Sequence, residues 1–323
     1  MIVSARACRN PLEGQKLTAI FGVGLVGGAL LHSLMSDEIA RRLVLPIDWL
    51  NRAQRLSDLS AIAAGICQQQ NVNGAIRQVD VVWAAGKAGF NSDWDLLRGE
   101  LDAFKDIVEW VMGLTIMLPD TTVIFHMLSS AGGLFEGQRF IDKESQPRPQ
   151  RPYGEAKVLQ EAVVERLRGD ITSHIYRPSS VYGFSGFGGR IGLINALIEN
   201  SKKHSTSHIF GGLETLRDYV LCSDIGSFLK KKIEEASSES QTYLLASGRP
   251  TSVHEMLQII NRVVERPIYL MLDVRPSNAN HMTYRRSALP KGWRPTDLHA
   301  GVRLVARQLA AAFENGNKIV KSI

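Results

Sequence analysis

Leu17-Thr18-Ala19-Ile20-Phe21-Gly22-Val23-Gly24-Leu25-Val26-Gly27-Gly28 is an apolar run that ends in a glycine turn, and Ala29-Leu30-Leu31-His32-Ser33-Leu34-Met35 continues it at helical spacing. A buried strand feeding G-x-G-x-x-G and then a helix is the context that lifts such glycines above chance. Gly22 permits the tight turn, Gly24 lets backbone approach a pyrophosphate, and Gly27 lets the helix pack close to the strand. The helix N-terminus then faces the phosphate charge. The bland alternative is a tight strand–helix junction with no ligand.

Arg42-Leu43-Val44-Leu45-Pro46-Ile47-Asp48 reads next as a strand ending in an acid, with Pro46 awkwardly placed because proline cannot donate to a central ladder. Asp48 lies about twenty residues beyond Gly27, where a carboxylate accepts from adenosine ribose hydroxyls and repels a 2′-phosphate. That favours NAD over NADP, although the cations Arg52 and Arg55 stand nearby. A helix is expected over Asp58 to Gln70. A buried strand follows at Val79-Asp80-Val81-Val82-Trp83-Ala84-Ala85-Gly86, its end made of small residues across which a cofactor can lie. Asp93 to Met112 carries an apolar stripe read as core or dimer packing. Thr121 to Leu128 is a further strand, delivering Ser129 and Ser130 at its end. A hydroxyl there can reach a substrate oxygen, or the two are turn serines. His126 falls inside the strand and is given no chemistry, and Met1 to Lys16 reads as a loose N-terminal extension.

Downstream, Arg151-Pro152-Tyr153-Gly154-Glu155-Ala156-Lys157 places a phenol and an ammonium one helical turn apart. A cation beside a phenol favours the phenolate, the form able to act as a base. Thr172 to Pro178 is a strand that leaves the sheet at Pro178. The alternation of strands and helices predicts an α/β fold built on a doubly wound parallel sheet.

Composition sets the frame. The 323 residues are 44% hydrophobic and 22% charged, ordinary for a globular chain with a large core. The net charge of +6 is dispersed, so anionic small ligands are expected and nucleic acid is not. Cys8, Cys67 and Cys222 are scattered without metal-ligand spacing, which points to no metal and a reduced, cytoplasmic setting. The apolar stretch Ile20 to Met35 is too short and too glycine-rich for a membrane span.

Taken in order, the glycine turn, Asp48, Trp83-Ala84-Ala85-Gly86, Ser129-Ser130, Tyr153-Gly154-Glu155-Ala156-Lys157, Arg177-Pro178-Ser179-Ser180-Val181-Tyr182-Gly183 and Arg217-Asp218-Tyr219-Val220 resemble the extended short-chain dehydrogenase/reductase family. The branch is that of NAD-dependent nucleotide-sugar epimerases and dehydratases, UDP-glucose 4-epimerase-like. The resemblance implies a Rossmann-type doubly wound sheet with a smaller, interleaved C-terminal substrate domain. The expected division is an extension at 1–16 and an NAD-binding domain at 17–183, rejoined by 221–247. The substrate domain would take 184–220 and 248–323. Tyr153, Lys157 and Ser130 would be catalytic. Asp58, resembling an adenine-contacting Asp-Leu pair, and Pro178 join Gly22, Gly24, Gly27, Asp48, Ala84, Ala85, Gly86, Tyr153 and Lys157 around NAD. Arg217 and Arg275 would grip a nucleotide diphosphate, with Ser129 and Ser180 at the sugar.

Departures narrow the reading. Aligned from Leu134-Phe135 the catalytic hydroxyl position falls on Ala131, and aligned from the strand it falls on Ser130, with Ser129 as fallback. Ala131-Gly132 stand where sugar dehydratases carry Asp-Glu, which argues against water elimination. The asparagine common on the next helix has no counterpart near Leu96 to Glu100. The leading expectation is a nucleotide-sugar 4-epimerase. A one-way keto-sugar reductase or dehydrogenase, or a dinucleotide-binding module without turnover, are the rivals. A homodimer through the helices at Asp93–Met112 and Tyr153–Arg168 is expected by the same resemblance.

Overall fold

The computed structural model describes residues 2–7, 14–36, 40–73, 76–186, 192–273 and 280–320. Its first half runs β1 (Ile2–Ala7), β2 (Gln15–Phe21), α1 (Leu25–Met35), β3 (Ala40–Val44), α2 (Arg52–Asn73), β4 (Ile76–Trp83), α3 (Trp94–Met117), β5 (Thr122–Leu128), the single turn α4 (Ala131–Leu134), α5 (Pro152–Leu167) and β6 (Thr172–Pro178). Its second half runs β7 (Ser180–Tyr182), α6 (Leu193–Lys202), β8 (Ser207–Phe210), β9 (Leu216–Arg217), β10 (Tyr219–Leu221), α7 (Cys222–Glu235), β11 (Gln241–Leu245), β12 (Thr251–Ser252), α8 (Val253–Val264), β13 (Leu270–Asp273) and α9 (Leu298–Val320).

Seven strands make one sheet in the order β11-β6-β5-β4-β2-β1-β3, in which β2, β4, β5, β6 and β11 are parallel. Strands covered on both faces favour apolar residues on both, and most of the buried positions here are apolar. Leu17, Ala19 and Phe21 pack with α2, α3 and α5 on one face. Ile20, Val82 and Tyr176 pack with α1 and α7 on the other. The fold is the expected Rossmann-type doubly wound sheet. A separate apolar cluster joins Tyr182, Leu197, Tyr219, Met256, Val302 and Leu309, drawn from segments on either side of α7 and β11.

The N-terminal expectation is corrected. Residues expected to be irregular supply β1, antiparallel to both of its neighbours, with Ile2 opposite Ile20 of β2 and Val44 of β3. Its apolar pattern is too short to stand out, yet two partners satisfy its backbone groups from both sides. β3 stops at Val44, before the donor-less Pro46. The inserted strand pushes β3 one place outward, but residues 45–49 bring the chain back. Leu45, Ile47 and Trp49 pack on the α2/α3 core, and the Trp49 ring lies 6.3 Å from Phe21 and 5.9 Å from Trp83. Asp48 is thereby returned towards the ends of β2 and β4. Helix α2 starts earlier than the pattern suggested because Asn51 accepts from the Gln54 N–H at 3.2 Å and acts as its cap.

Arg52 and Arg55 do not wait for a phosphate. Arg52 donates to Asp106 through Nε and Nη2, and buried Arg55 donates to the same carboxylate at 3.0 and 2.5 Å and to the Trp49 carbonyl. Burial pushes the Asp106 carboxyl upward, but the two guanidiniums outweigh it and hold it below its usual range.

A polar seam crosses the α1/α7 face of the sheet. Asp80 Oδ1 lies 2.9 Å from His126 Nε2, Asp80 Oδ2 accepts from Gln78, and His126 Nδ1 lies 2.9 Å from the Tyr176 hydroxyl. This agrees with the structural part read for His126. Beside it His174 is fully buried, 5.3 Å from the His126 ring, and neither of its ring nitrogens has a partner among the described residues. Burial, reinforced by His126, pushes the His174 imidazole down to about 3. The unfolded ring titrates near 6.5, so the contribution is complete above that pH and is lost as pH falls towards about 3. His174→Leu is expected to remove about 1.4 kcal/mol per pH unit from the stability slope between those limits, read by urea unfolding at pH 6.5 and pH 4.5. An unchanged slope would mean that His174 does not resist protonation in the fold.

Candidate active site

The site is assembled where the parallel strands end. β2 gives way to Gly22 at φ +91°, and a Cβ there would sit 2.3 Å from the Ala85 Cα beyond β4. The Ala84 N–H donates to the Phe21 carbonyl at 2.8 Å, locking the two strand ends together. At Gly27 a Cβ would fall 2.0 Å from the Gly22 carbonyl oxygen, so the helix backs directly onto the turn. Gly24 differs, since a Cβ there would meet nothing within 4 Å. Gly24 also caps α1 without any side-chain bond to the first-turn N–H groups, while Ser185 donates to the Gly24 carbonyl at 3.3 Å. An exposed helix N-terminus behind a glycine cradle is the geometry that takes a pyrophosphate, so the residues present fit a dinucleotide.

Asp48 is exposed; its Oδ1 accepts from the N–H groups of Leu50 and Asn51. Asp58 lies within α2, in the helix expected for it, and makes local bonds. It accepts from the Asp48 N–H at 3.0 Å and from Gln54 at 2.8 Å, and the Asp48 bond holds its carboxyl below its usual range. Asp58 therefore braces the Asp48 loop where an adenine contact was expected.

Beyond β4, Gly86 turns at φ +143° and the next two N–H groups, of Lys87 and Ala88, both donate to Glu100 on α3. Glu100 stands on the helix where the family's asparagine was missed. As one more acid in a solvent-facing helical pattern it gave no signal in the sequence.

The hydroxyl alternatives separate clearly. Ser129 is buried and its Oγ donates to Glu161 at 2.5 Å, while Glu161 also binds Arg177 at 3.0 and 2.6 Å. Its hydroxyl proton is held by Glu161 inside the protein. Ala131 is buried and has no hydroxyl. Ser130 caps α4 by accepting from the Gly133 N–H at 3.1 Å. Gly133 is the surface on which the Tyr153 ring rests, because a Cβ there would lie 3.0 Å from Tyr153 Cδ1 and Cε1. Gly154 backs onto the same glycine, where a Cβ would sit 2.2 Å from the Gly133 carbonyl oxygen. Ser130 and Tyr153 are thus brought together through one glycine.

Pro152 opens α5, where its missing N–H costs nothing, and Tyr153 and Lys157 follow on one face. Lys157 Nζ lies 5.8 Å from the Tyr153 ring centroid and donates to the Leu128 carbonyl and to Gln160 Oε1. Two of its three protons are held by protein. Phe90, half-exposed in the loop after β4, lies 5.7 Å from the Tyr153 ring, and Arg151 covers Phe90 at 5.5 Å while bonding Glu136 at 2.9 Å. Neither Phe90 nor Arg151 was singled out in the sequence, since a loop aromatic and a helix-flanking arginine are common.

Arg217 on β9 donates to the carbonyls of Leu216 and Asn280, and burial pushes its guanidinium below its ordinary value. Asn280 in turn donates to Gln150 at 3.0 Å, so the Arg217 strand is tied to the entrance of α5. Ser180 opens β7 with its N–H on the Asp218 carbonyl, and Pro178 closes β6 in a buried position. Arg275 lies outside the described residues. Among the described residues no cluster of three or more His, Cys, Asp or Glu is placed to hold a metal. No helix among them is long and apolar enough to cross a membrane.

A parallel α/β sheet with an open glycine cradle beside a Tyr-Lys pair defines a dinucleotide-binding protein of the Rossmann class. A family model described as the NAD dependent epimerase/dehydratase family matches residues 19–246, and the chain belongs to that family. A curated Methanocaldococcus jannaschii protein with a provisional UDP-glucose 4-epimerase name is 27% identical over 189 residues. That match spans 55% of this chain and 61% of the relative. Among solved structures, the Thermus thermophilus UDP-glucose 4-epimerase in complex with NAD superposes with a TM-score of 0.69 at 18% identity, covering 91% of this chain and 99% of that one. The Thermotoga maritima UDP-glucose 4-epimerase with UDP-glucose gives 0.71 at 16% identity, covering 92% and 99%.

Proposed function

We propose that the chain is an NAD-dependent nucleotide-sugar 4-epimerase that works by transient oxidation at sugar C4. The observation that carries this reading is the Tyr153 ring seated on Gly133, beside the Ser130 that caps the same turn, with Lys157 one helical turn on. When bound, NAD supplies the acceptor for the C4 hydride and the source of its return. Gly22, Gly24 and Gly27 cradle its pyrophosphate, Ala84, Ala85 and Gly86 make room at the strand end, and Asp48 receives the adenosine ribose. Tyr153, as phenolate, takes the proton of the C4 hydroxyl and gives it back. Lys157 stabilises that phenolate and turns its remaining proton to the nicotinamide ribose, and Ser130 donates to the reacting oxygen. Arg217 and Arg275 hold the nucleotide diphosphate while the keto sugar rotates. Residues 17–183 with 221–247 hold NAD, and 184–220 with 248–323 make most of the sugar-nucleotide lobe.

Incubating the purified protein with UDP-glucose and other UDP-sugars, without added nicotinamide, is expected to interconvert C4 epimers detectable by proton NMR. A requirement for stoichiometric reduced nicotinamide would instead identify a one-way reductase, and binding without turnover a dinucleotide module. Because Arg52 and Arg55 are occupied by Asp106, no cation from α2 offsets Asp48. Asp48→Asn is accordingly expected to weaken NAD binding by roughly tenfold, measured by calorimetry. Unchanged NAD affinity would remove Asp48 from the site. Half-exposed Leu96 on α3 and Leu159 on α5 suit a homodimer through these helices, which sedimentation would test. The unpaired cysteines Cys67 and Cys222 suit a cytoplasmic setting.

A further inference from the structure

A cavity of about 490 Å³ opens beside β11, the edge strand of the sheet, between the loop carrying Asp142 and Lys143 and the turn ending at Lys291. Four cations line it, Lys143, Arg177, Lys232 and Lys291, against one carboxylate, Asp142. The charges are unevenly balanced. Arg177 is paired with Glu161 through Nε and Nη2, and Lys232 with Glu235 at 2.7 Å. Asp142 is itself spent on the Glu144 N–H and the Ser145 hydroxyl, with Arg285 at 3.6 Å. Lys143 and Lys291 are exposed, and among the described residues neither ammonium meets a carboxylate.

We propose that this cleft binds a small phosphate monoester. Two unmatched ammoniums, with the Glu161-paired guanidinium of Arg177 behind them, suit a dianion, and the volume falls within the range of ligand sites. The walls decide against a nucleotide base, because the aromatic rings that reach the cleft, Phe135 and Tyr243, are 1% and 6% exposed and offer no free face. Thr242 and Gln241 supply polar groups instead, as a sugar phosphate requires. The cleft is also wired to the catalytic strand end. Arg177 holds Glu161, Glu161 holds the Ser129 hydroxyl, and Ser129 precedes Ser130. An anion on Arg177 draws charge away from Glu161, so occupancy is read out at the residue next to the α4 cap.

Calorimetric titration of the full chain with a hexose 1-phosphate and with inorganic phosphate, at constant ionic strength, tests the site. Saturable hexose phosphate binding is expected in the wild type and in Arg217→Gln, and a loss of roughly tenfold or more in the Lys143→Glu/Lys291→Glu double variant. Both lysines are exposed, so the double variant keeps the fold. No saturable binding of the sugar phosphate, binding of inorganic phosphate alone, or affinity unchanged in the double variant would overturn the proposal. Binding lost in Arg217→Gln and kept in the double variant would place the anion at the proposed diphosphate site and equally overturn it.

Discussion

Tyr153→Phe is expected to lower C4 epimerisation by roughly a thousandfold while NAD remains bound within about fivefold of wild-type affinity. The asymmetry follows from how the ring is held. It lies against Gly133 through Cδ1 and Cε1, its neighbour is Phe90, and Lys157 stands 5.8 Å from its centroid. All of those contacts survive removal of the hydroxyl, and no described residue takes a hydrogen bond from it. The variant therefore loses the proposed proton acceptor and keeps the architecture, and Lys157 keeps its bonds to Leu128 and Gln160. The measurement is turnover of a UDP-sugar by NMR beside NAD retention after gel filtration. Activity above about a tenth of wild type would transfer the role of base to another group, since general-base catalysis is worth at least about a hundredfold.

Asp106→Ala carries the second large effect, and it concerns the fold. Arg55 is almost wholly buried, its side chain 4% exposed, and Asp106 receives two of its bonds. Removing the carboxylate leaves a guanidinium in the core with only the Trp49 carbonyl for company. Stranding one partner of a buried pair costs about 3–5 kcal/mol, a large part of the stability of an ordinary domain. Urea unfolding is expected to show that loss, and the double variant Asp106→Ala/Arg55→Met is expected to recover part of it because the orphaned charge is gone. A loss below about 1 kcal/mol would mean that water reaches Arg55. The loop carrying Asp48 should feel the change as well, because Arg55 bonds the Trp49 carbonyl and Trp49 packs against Phe21.

Much of the scaffold was legible because the physics wrote it in long strokes. The strands at 15–21, 76–83, 122–128 and 172–178 are buried on both faces over most of their length, so their apolar residues fall together in short runs such as Ala19 to Phe21 and Val123 to Phe125. The glycine turn was legible because two of its glycines are sterically obligatory, with the backbones of Ala85 and Gly22 pressed against them. What escaped was decided by partners distant in sequence. β1 is a strand through its pairing with β2 and β3, and a six-residue segment announces neither. The start of α2 escaped too, because the cap at Asn51 lies seven residues ahead of the helical pattern that begins at Asp58. Ser129 and Ser130 are adjacent in the chain and opposite in commitment, which depends on Glu161 thirty-two residues away. Glu100 escaped for the same reason, because it accepts two backbone N–H groups from residues twelve and thirteen positions earlier.

The reversed direction of β1 has a practical consequence at the bench. Because Ile2 lies opposite Ile20, anything joined ahead of residue 2 leaves the sheet at the end that carries Gly22 and Gly24. An affinity handle or fluorescent fusion placed there would hang beside the phosphate cradle and compete with it for space. The same handle attached beyond α9 extends from the last described helix of the chain.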